Sequence, residues 1–205
     1  LAVDISVHAL TKYPSGGGDV LMGSVITRDK QLHMQLKLCH MRLGLGIGAN
    51  DAEAVLRALP SLPLRYRAHD EVTRALAQWC LQRTEFAQVL HPALPESPGH
   101  AHWQALCENG LGGAAGLFSV IIKPGYCQAQ VDAFCDALQL FEIGYSWGGP
   151  VSLVMPYELA SMRLSWPQHL QTGTLVRFSI GLENGADLLA DLTQALATAF
   201  GDTGE

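Results

Sequence analysis

The spacing of hydrophobic positions predicts strands in both halves of the chain. Short apolar stretches rich in β-branched residues are typical of strands that a fold buries. The first of them is LAVDISVHAL at residues 1–10, and we expect it to be buried. The later stretches that predict strands are VLMGSVIT, FAQVLHP, GLFSVIIK, FEIGYSWGG and TLVRFSIG.

Helical periodicity occupies the segments between these strands. Residues 30–42 have helical spacing, and AEAVLRAL predicts a helix that Pro60 and Pro63 interrupt. On a helix after the prolines we place Glu71 and Thr73 on the solvent side. The positions that define the later amphipathic helices are Val72, Ala75, Leu76, Trp79 and Arg83, then Val131, Phe134, Cys135 and Leu138, then Leu188, Leu189, Leu192, Leu196 and Phe200. Because strands and helices interleave, the pattern predicts an α/β or α+β fold, with a boundary near residue 60.

Composition and charge exclude several classes of function. The 205 residues carry a net charge of −6 and concentrate no basic residues with aromatics, which argues against a nucleic-acid partner. No apolar run approaches the ~18 residues of a membrane span. We therefore expect a cytoplasmic protein that binds neither nucleic acid nor membrane. The cysteines are odd in number, scattered and without C-x-x-C spacing, which favours thiols in a reducing compartment: Cys39, Cys80, Cys107, Cys127 and Cys135.

Three short motifs resemble sites of other kinds, and their surroundings argue against each. GLGIG at residues 44–48 lacks the full G-x-G-x-x-G spacing and follows a polar helix, so termination of that helix by glycine is favoured. His100 and His102 lie in a predicted Pro/Gly-rich loop with no third ligand nearby, and we expect no metal. GYSWG at residues 144–148 matches the hydrolase motif G-x-S-x-G, but the GPVSLVMP that follows is not a helix start.

Lys12 is the strongest candidate for chemistry. It follows the first predicted strand in HALTKYPSGGGD, between a threonine and a tyrosine and shortly before three glycines. Lysine amines have a reference pKa of about 10.4 and are poor nucleophiles until burial or a neighbouring charge lowers that value. A lysine in such a setting suits an aldehyde cofactor that bears a phosphate, and pyridoxal 5'-phosphate (PLP) is the obvious candidate. The alternative is a strand-end lysine whose amine extends into water.

Five segments, in the same order, resemble the Cys/Met-metabolism family of PLP enzymes. ALTKYPSGGGD resembles the family's cofactor-lysine motif S-x-T-K-Y followed by G-H-S-D, and GANDAEAVLRAL resembles the segment that ends in L-x-R-G-L. VLHPALPESPGHAHW resembles V-x-H-P-x-L-x-x-x-P-x-H, and YSWGGPVSLVMP resembles S-x-G-G-x-x-S-L. TLVRFSIGLENGADLLADLTQAL resembles the family's ending L-x-R-x-S-x-G-x-E-x-x-x-D-L-x-x-D-L. The YSWGG form is typical of the β-lyases of the family.

The resemblance implies a fold and a set of site residues. The fold would be α/β, the C-terminal part of an aspartate-aminotransferase-type (fold type I) PLP enzyme. Residues 1–60 would end the cofactor domain, and residues 61–205 would form a small α/β C-terminal domain. Lys12 would hold PLP covalently, take the substrate α-proton and reprotonate the leaving sulfur, while Thr11 would hydrogen-bond the cofactor phosphate.

On the substrate side, Arg177 would grip the α-carboxylate with two prongs. Ser146 and Trp147 would line the same side of the pocket. A solvent-facing strand arginine remains the alternative for Arg177, because its apolar neighbours Val176 and Phe178 point to the opposite face of the strand.

Several positions depart from the family pattern. Ala9 replaces a serine, Ala58 replaces the glycine of R-G-L, and Pro60 stands where a helix residue is usual. Gly17 and Gly18 replace His-Ser. The family's acid for the pyridine nitrogen, its stacked aromatic and its phosphate loop all lie upstream of the lysine. We therefore expect further sequence upstream of Leu1, and we expect the 205 residues alone to be inactive.

The activity that the resemblance implies is that of a carbon–sulfur lyase. It would convert cystathionine by β-elimination to homocysteine, pyruvate and ammonia, within transsulfuration and methionine biosynthesis. The partners would be a small thioether amino acid and further copies of the chain, as a dimer or tetramer. Two alternatives stay open: γ-elimination or γ-replacement on a related sulfur amino acid, and a non-catalytic chain that only contacts other proteins.

Overall fold

The computed structural model describes residues 3–107 and 113–201 and divides the chain into two compact units. The first unit extends to Arg65 and the second begins at Tyr66. These units are defined by packing alone. The assignment of residues 1–60 to the end of a cofactor domain, and of residues 61–205 to a C-terminal domain, stays a prediction.

The first unit contains one hairpin and two short helices. Strands β1 and β2 pair antiparallel, and α1 begins where the Asp29 carboxylate accepts from the Leu32 N–H at 2.8 Å. Gly44 follows the end of α1 with a φ of +64°, so glycine terminates this helix as expected. The elements are β1 (Ser6–Ala9), β2 (Gly23–Ile26), α1 (Lys30–Arg42) and α2 (Ala49–Ala58).

Strand β1 is exposed, and the expectation that it is buried was wrong. All four of its residues are exposed, and Val7 keeps 76% of its surface accessible to solvent. Among the described strands β1 pairs only with β2, and a two-stranded hairpin has no second layer of its own. Residues 1 and 2 of the predicted strand lie outside the described residues.

The two prolines act at different places. Pro60 lies in a 3₁₀ turn, Leu59–Ser61, that separates α2 from α3 (Leu62–Cys80), so the interruption expected there is confirmed. Pro63 instead lies in the first turn of α3, where its missing N–H has no intrahelical partner to lose.

The second unit is built on a mixed five-stranded sheet. The strand order is β3-β4-β7-β6-β5, and every neighbouring pair is antiparallel except β5 and β6. Ser119 on β4 and Met155 on β6 flank Arg177 on the central strand β7. The elements that follow α3 are β3 (Phe86–Leu90), α4 (His100–Cys107), β4 (Leu117–Ile122), α5 (Gln128–Ala137), β5 (Glu142–Ile143), β6 (Leu153–Tyr157), α6 (Leu159–Met162), β7 (Thr174–Ser179) and α7 (Gly185–Phe200).

One apolar core joins the sheet to helices α3, α5 and α7. Phe178 of β7 lies at its centre and stacks on Phe118 with ring centroids 4.9 Å apart. The buried positions expected on α5 are confirmed, as are most of those on α7. The largest fully buried side chains are Phe118, Phe134, Phe178, Leu76, Ile121, Ile122, Ile180, Leu188, Leu192, His69, His91 and Val120.

Three sequence expectations for this unit were wrong. Thr73 is fully buried, because its hydroxyl donates to the His69 carbonyl at 2.6 Å within α3 and so needs no water. Ala75, which we expected on the apolar side of the helix, is exposed. His100 and His102 lie on helix α4 and not in a loop. Strand β6 and the short helix α6 were not predicted. No helix within residues 3–107 and 113–201 has the length and apolar character to cross a membrane.

Candidate functional site

Lys12 lies half-buried in the loop after β1, and Ser15 holds the backbone of that loop. The Ser15 N–H donates to the Leu10 carbonyl at 2.9 Å. Its hydroxyl lies 2.7 Å from the Thr11 carbonyl and 3.2 Å from the Lys12 carbonyl, and it accepts from the Gly18 N–H at 3.2 Å. Ser15 is buried and was missed in the sequence, where its only signal is its place between the lysine and the glycines.

Thr11 is joined to the chain that enters β2. Its hydroxyl donates to the Met22 carbonyl at 3.2 Å and accepts from the Met22 N–H at 3.1 Å. The same carbonyl also accepts from the backbone N–H groups of Leu10, at 2.9 Å, and Thr11, at 3.2 Å. Thr11 and Lys12 therefore share a loop whose backbone is held from both sides.

Arg177 lies on β7, hydrogen-bonded on one side to β4 and on the other to β6. Val176 and Phe178 point into the core with no exposed surface, and Arg177 lies half-buried on the other face. Its Nη2 donates to the carbonyls of Gly144 and Ser146, each at 3.2 Å. The guanidinium is thus bound to the loop that contains Ser146.

The loop between β5 and β6 contains both other predicted substrate residues. Ser146 is exposed and Trp147 is half-buried, and Gly148 after them has a φ of +73° that favours glycine. Strand β6 follows this loop, so the strand-to-helix turn of a hydrolase serine is not formed around Ser146. The Tyr157 ring lies 5.7 Å from the Arg177 guanidinium carbon.

Glu183 fixes the far end of the same loop and was missed as a site residue. Its carboxylate accepts from the Ser152 N–H at 2.6 Å and from the Ser152 hydroxyl at 2.8 Å. The Ser152 hydroxyl in turn accepts from the Gly181 N–H at 2.9 Å, and Ser152 is fully buried. Charge-assisted bonds of this kind are among the stronger ones in proteins, so they restrain the loop where it enters β6.

A buried histidine lies elsewhere in the second unit. His91 is 1% exposed, and its Nδ1 accepts from the Ala93 N–H at 3.3 Å. Burial, helped by the charge of Arg74 and opposed by that of Asp70, lowers the pKa of His91 to about 4. The His91 ring is therefore neutral at pH 7. Within the described ranges no group of three or more His, Cys, Asp and Glu side chains is arranged to hold a metal ion.

The structure distributes the predicted site residues over the two units. Thr11 and Lys12 lie in the first unit, whereas Ser146, Trp147 and Arg177 lie in the second. Within the second unit the Ser146 loop and Arg177 are in direct contact.

Comparison with known proteins identifies the family. The family described as Cys/Met metabolism PLP-dependent enzyme matches residues 1–197. Cystathionine beta-lyase from Bordetella avium is 39% identical over 204 residues, which cover 97% of this chain and 49% of that protein. Cystathionine beta-lyase from Salmonella typhimurium is 36% identical over 198 residues, which cover 95% of this chain and 49% of that protein.

A solved structure gives the same result for the fold. Cystathionine gamma synthase from Xanthomonas oryzae pv. oryzae, in complex with cystathionine, matches with a TM-score of 0.81 and 34% identity over 97% of this chain and 51% of that one. The α/β fold of a fold type I PLP enzyme is thereby confirmed. The chain spans about half the length of the curated relatives that it matches. This chain belongs to the Cys/Met-metabolism family of PLP-dependent enzymes.

Proposed function

We propose that the protein containing this chain is a PLP-dependent carbon–sulfur lyase that carries out β-elimination of cystathionine. The strongest support is the 39% identity to a protein named cystathionine beta-lyase, over nearly the whole chain. Cystathionine and water would yield homocysteine, pyruvate and ammonia. We place this reaction in the cytoplasm, in methionine biosynthesis by transsulfuration, and in a homo-oligomer.

The hydrogen bonds around Thr11 fit a phosphate-bearing cofactor. A hydroxyl has one hydrogen, and that of Thr11 is donated to the Met22 carbonyl. If the hydroxyl rotates to donate to a phosphate, the Met22 carbonyl still accepts from the backbone N–H groups of Leu10 and Thr11. The Met22 carbonyl is not left without a donor, so this rotation of the Thr11 hydroxyl costs little free energy.

Lys12 would hold PLP through its amine. PLP, when bound, supplies an electron sink for the electron pair that remains at the substrate Cα once its proton has left. The Lys12 amine would take that α-proton as a general base and then return a proton to the sulfur as the Cβ–S bond breaks. The hydrogen bonds of Ser15 to the backbone of this loop keep the Cα of Lys12 in a fixed place during both transfers.

Arg177 would receive the substrate α-carboxylate. A guanidinium can grip a carboxylate with two prongs through Nη1 and Nη2 or through Nε and Nη2, and both arrangements use Nη2. Nη2 already donates to the carbonyls of Gly144 and Ser146. A two-pronged grip therefore requires one of these bonds to be released or shared, which couples carboxylate binding to the conformation of the loop containing Ser146 and Trp147.

The second candidate function is γ-elimination or γ-replacement. It is favoured by the 34% identity to a cystathionine gamma synthase over nearly the whole chain. The products separate the two eliminations, because β-elimination of cystathionine gives pyruvate whereas γ-elimination gives 2-oxobutanoate, and γ-replacement releases neither 2-oxo acid. Incubation of the whole protein with cystathionine and chromatography of the 2-oxo acids decides between them, and the β-lyase assignment is wrong if 2-oxobutanoate predominates.

Replacement of Lys12 by alanine tests the catalytic assignment. We expect Lys12→Ala in the whole protein to remove turnover, by more than the ~10²–10⁴-fold typical of losing a general base alone, because the covalent anchor is lost as well. Lys37→Ala, an exposed lysine of helix α1, is the matched control and should turn over normally. Borohydride reduction with PLP, followed by peptide mapping, should label residue 12 in the wild type and in Lys37→Ala only. Normal turnover by Lys12→Ala would exclude the assignment.

A further inference from the structure

Arg65 lies against the loop that contains Lys12, although no sequence motif points to it. Its Nη1 donates to the carbonyl of Tyr13, the residue after Lys12, at 2.6 Å. This is among the shortest hydrogen bonds that a side chain makes in the first unit. Because the bond comes from a charged donor, it restrains the loop more strongly than a neutral bond would.

The other donors of Arg65 are fixed to the turn after α2. Nη2 donates to the Ala58 carbonyl at 3.0 Å, and Nε donates to the Ser61 hydroxyl at 3.0 Å. The Ser61 hydroxyl also donates to the Ala58 carbonyl at 3.0 Å. The Nε and Nη2 edge of the planar guanidinium is thereby held at the end of α2, and Nη1 is directed at the loop that contains Lys12.

Gly16 leaves the space that the guanidinium occupies. A Cβ at residue 16 would lie 3.2 Å from Arg65 Cζ, tighter than ordinary van der Waals contact, and the φ of +78° at this residue also favours glycine. Within the described residues, the guanidinium of Arg65 has no carboxylate at ion-pair distance. Burial lowers the pKa of Arg65 from its usual value, yet a guanidinium stays charged under all ordinary conditions.

We infer that Arg65 is a positioning residue for Lys12, and this inference rests on the proposed role of Lys12. Arg65 holds the Tyr13 carbonyl from one side while Ser15 holds the Thr11 and Lys12 carbonyls from the other. The backbone on both sides of Lys12 is thus held by hydrogen bonds from side chains. Proton transfer at a substrate carbon depends steeply on the placement of the base, so a loosened loop lowers the rate of the chemical step more than it lowers substrate affinity.

The test compares Arg65→Gln, which loses the charge and the reach, with Arg65→Lys, which keeps the charge and loses the planar fork. Arg57→Gln is the matched control, because Arg57 is an exposed arginine of α2 that pairs with Glu53 at 2.7 Å. Amide hydrogen exchange is measured on the cofactor-free whole protein, in a peptide that covers residues 10–18. We expect exchange to accelerate about tenfold or more in Arg65→Gln, less in Arg65→Lys, and not in Arg57→Gln.

A peptide that covers strand β4, in the second unit, serves as the internal reference for folding in each variant. Equal exchange of the 10–18 peptide in Arg65→Gln and Arg57→Gln, with the reference unchanged, would overturn the inference. If Arg65→Gln also exchanges faster in the reference peptide, the milder Arg65→Lys replaces it. Exchange of the 10–18 peptide in Arg65→Lys is then compared with that in Arg57→Gln, and equal exchange would overturn the inference.

Two further readouts separate positioning from a merely structural role. The rate at which PLP and borohydride label Lys12 should fall in Arg65→Gln, and kcat should fall about tenfold or more with KM changed by less than about threefold. Unchanged labelling and kcat beside faster exchange would show that Arg65 is structural only. If Lys12 is not labelled even in the wild type, the proposed function fails, while the exchange result still decides whether Arg65 holds the loop.

Discussion

The two units differ in how they fix the side chains that we assign to the reaction. Among residues 3–65 the only buried positions are Pro14, Ser15, Val20 and Val55. The second unit instead contains a continuous core in which Phe118, Val176 and Phe178 have almost no exposed surface. Arg177 therefore projects from a strand that its own unit holds rigidly, whereas Lys12 lies on a loop held by polar contacts.

The difference shows two ways of placing a reactive group. Packing fixes a strand through many weak contacts, so no single one of them is critical. A loop held by a few hydrogen bonds depends on each of them, and removing one donor leaves an acceptor without its partner. Single substitutions around Lys12 should thus lower function more than overall stability. Substitutions of the core residues that pack against the strand of Arg177 should lower stability more than function.

The largest effect that we expect from this comparison is on the free energy of unfolding, and it contrasts one strand residue from each unit. Phe178→Ala should lower the free energy of unfolding by ~3–5 kcal/mol, because Phe178 contacts the rings of Phe118, Phe134 and Phe141 and alanine leaves a cavity. Val7→Ala on the exposed strand β1 should change it by less than about 0.5 kcal/mol. Urea unfolding followed by circular dichroism measures both.

Tryptophan fluorescence adds a control to this experiment, because all four tryptophans follow residue 65 and so report on the second unit. If the two units unfold independently, the fluorescence and circular dichroism transitions will not coincide. A loss of 2 kcal/mol or more in Val7→Ala would contradict the comparison, since it would mean that β1 is covered in the protein.

The sequence predicted the second unit better than the first for a physical reason. Periodicity reports burial, and most of the helices and strands of the second unit bury one face against a shared core, as the positions on α5 and α7 illustrate. On β1 the same apolar pattern was present, but all four residues of the strand are exposed, and among the described strands β1 pairs only with β2. Thr73 shows the converse failure, because a bond from its hydroxyl to a backbone carbonyl within its own helix made burial possible for a polar residue.

The predicted site residues came from motifs, and two of the residues that hold them, Ser15 and Arg65, match no motif position. Glu183 is part of the C-terminal motif, but the motif alone gave it no role. Ser15, Arg65 and Glu183 act through backbone groups of the loops that they restrain. Contacts between a side chain and a distant backbone carbonyl leave no periodicity in the sequence. Arg65 and Tyr13 are 52 residues apart, and only the fold brings them together.

The second largest effect tests whether Arg177 has a function beyond its strand. Arg177→Lys keeps the charge and loses the two-pronged geometry, so KM for amino-acid substrates should rise by the equivalent of roughly 1.5–3 kcal/mol. Arg163→Lys, at an exposed position after α6, is the matched control and should leave KM unchanged. Steady-state kinetics on the whole protein measures both. A normal KM in Arg177→Lys would mean that the arginine only supports the loop whose carbonyls it contacts.

The last effect is confined to acid pH, vanishes at neutral pH, and compares a buried histidine of the second unit with an exposed histidine of the first. The pKa of His91 is about 4 in the folded protein, below the usual value near 6.5, because its ring is buried beside Arg74. Between these values the unfolded chain binds a proton that the folded protein does not bind, so the free energy of unfolding should fall as the pH drops from 6.5 towards 4. His91→Asn, whose side-chain oxygen can still accept from the Ala93 N–H, should flatten this dependence. His33→Asn, at an exposed position on α1, should leave it unchanged. Urea unfolding at pH 7, 6, 5 and 4.5 measures the slopes, and equal slopes for His91→Asn and the wild type would show that another group controls the acid sensitivity of the core.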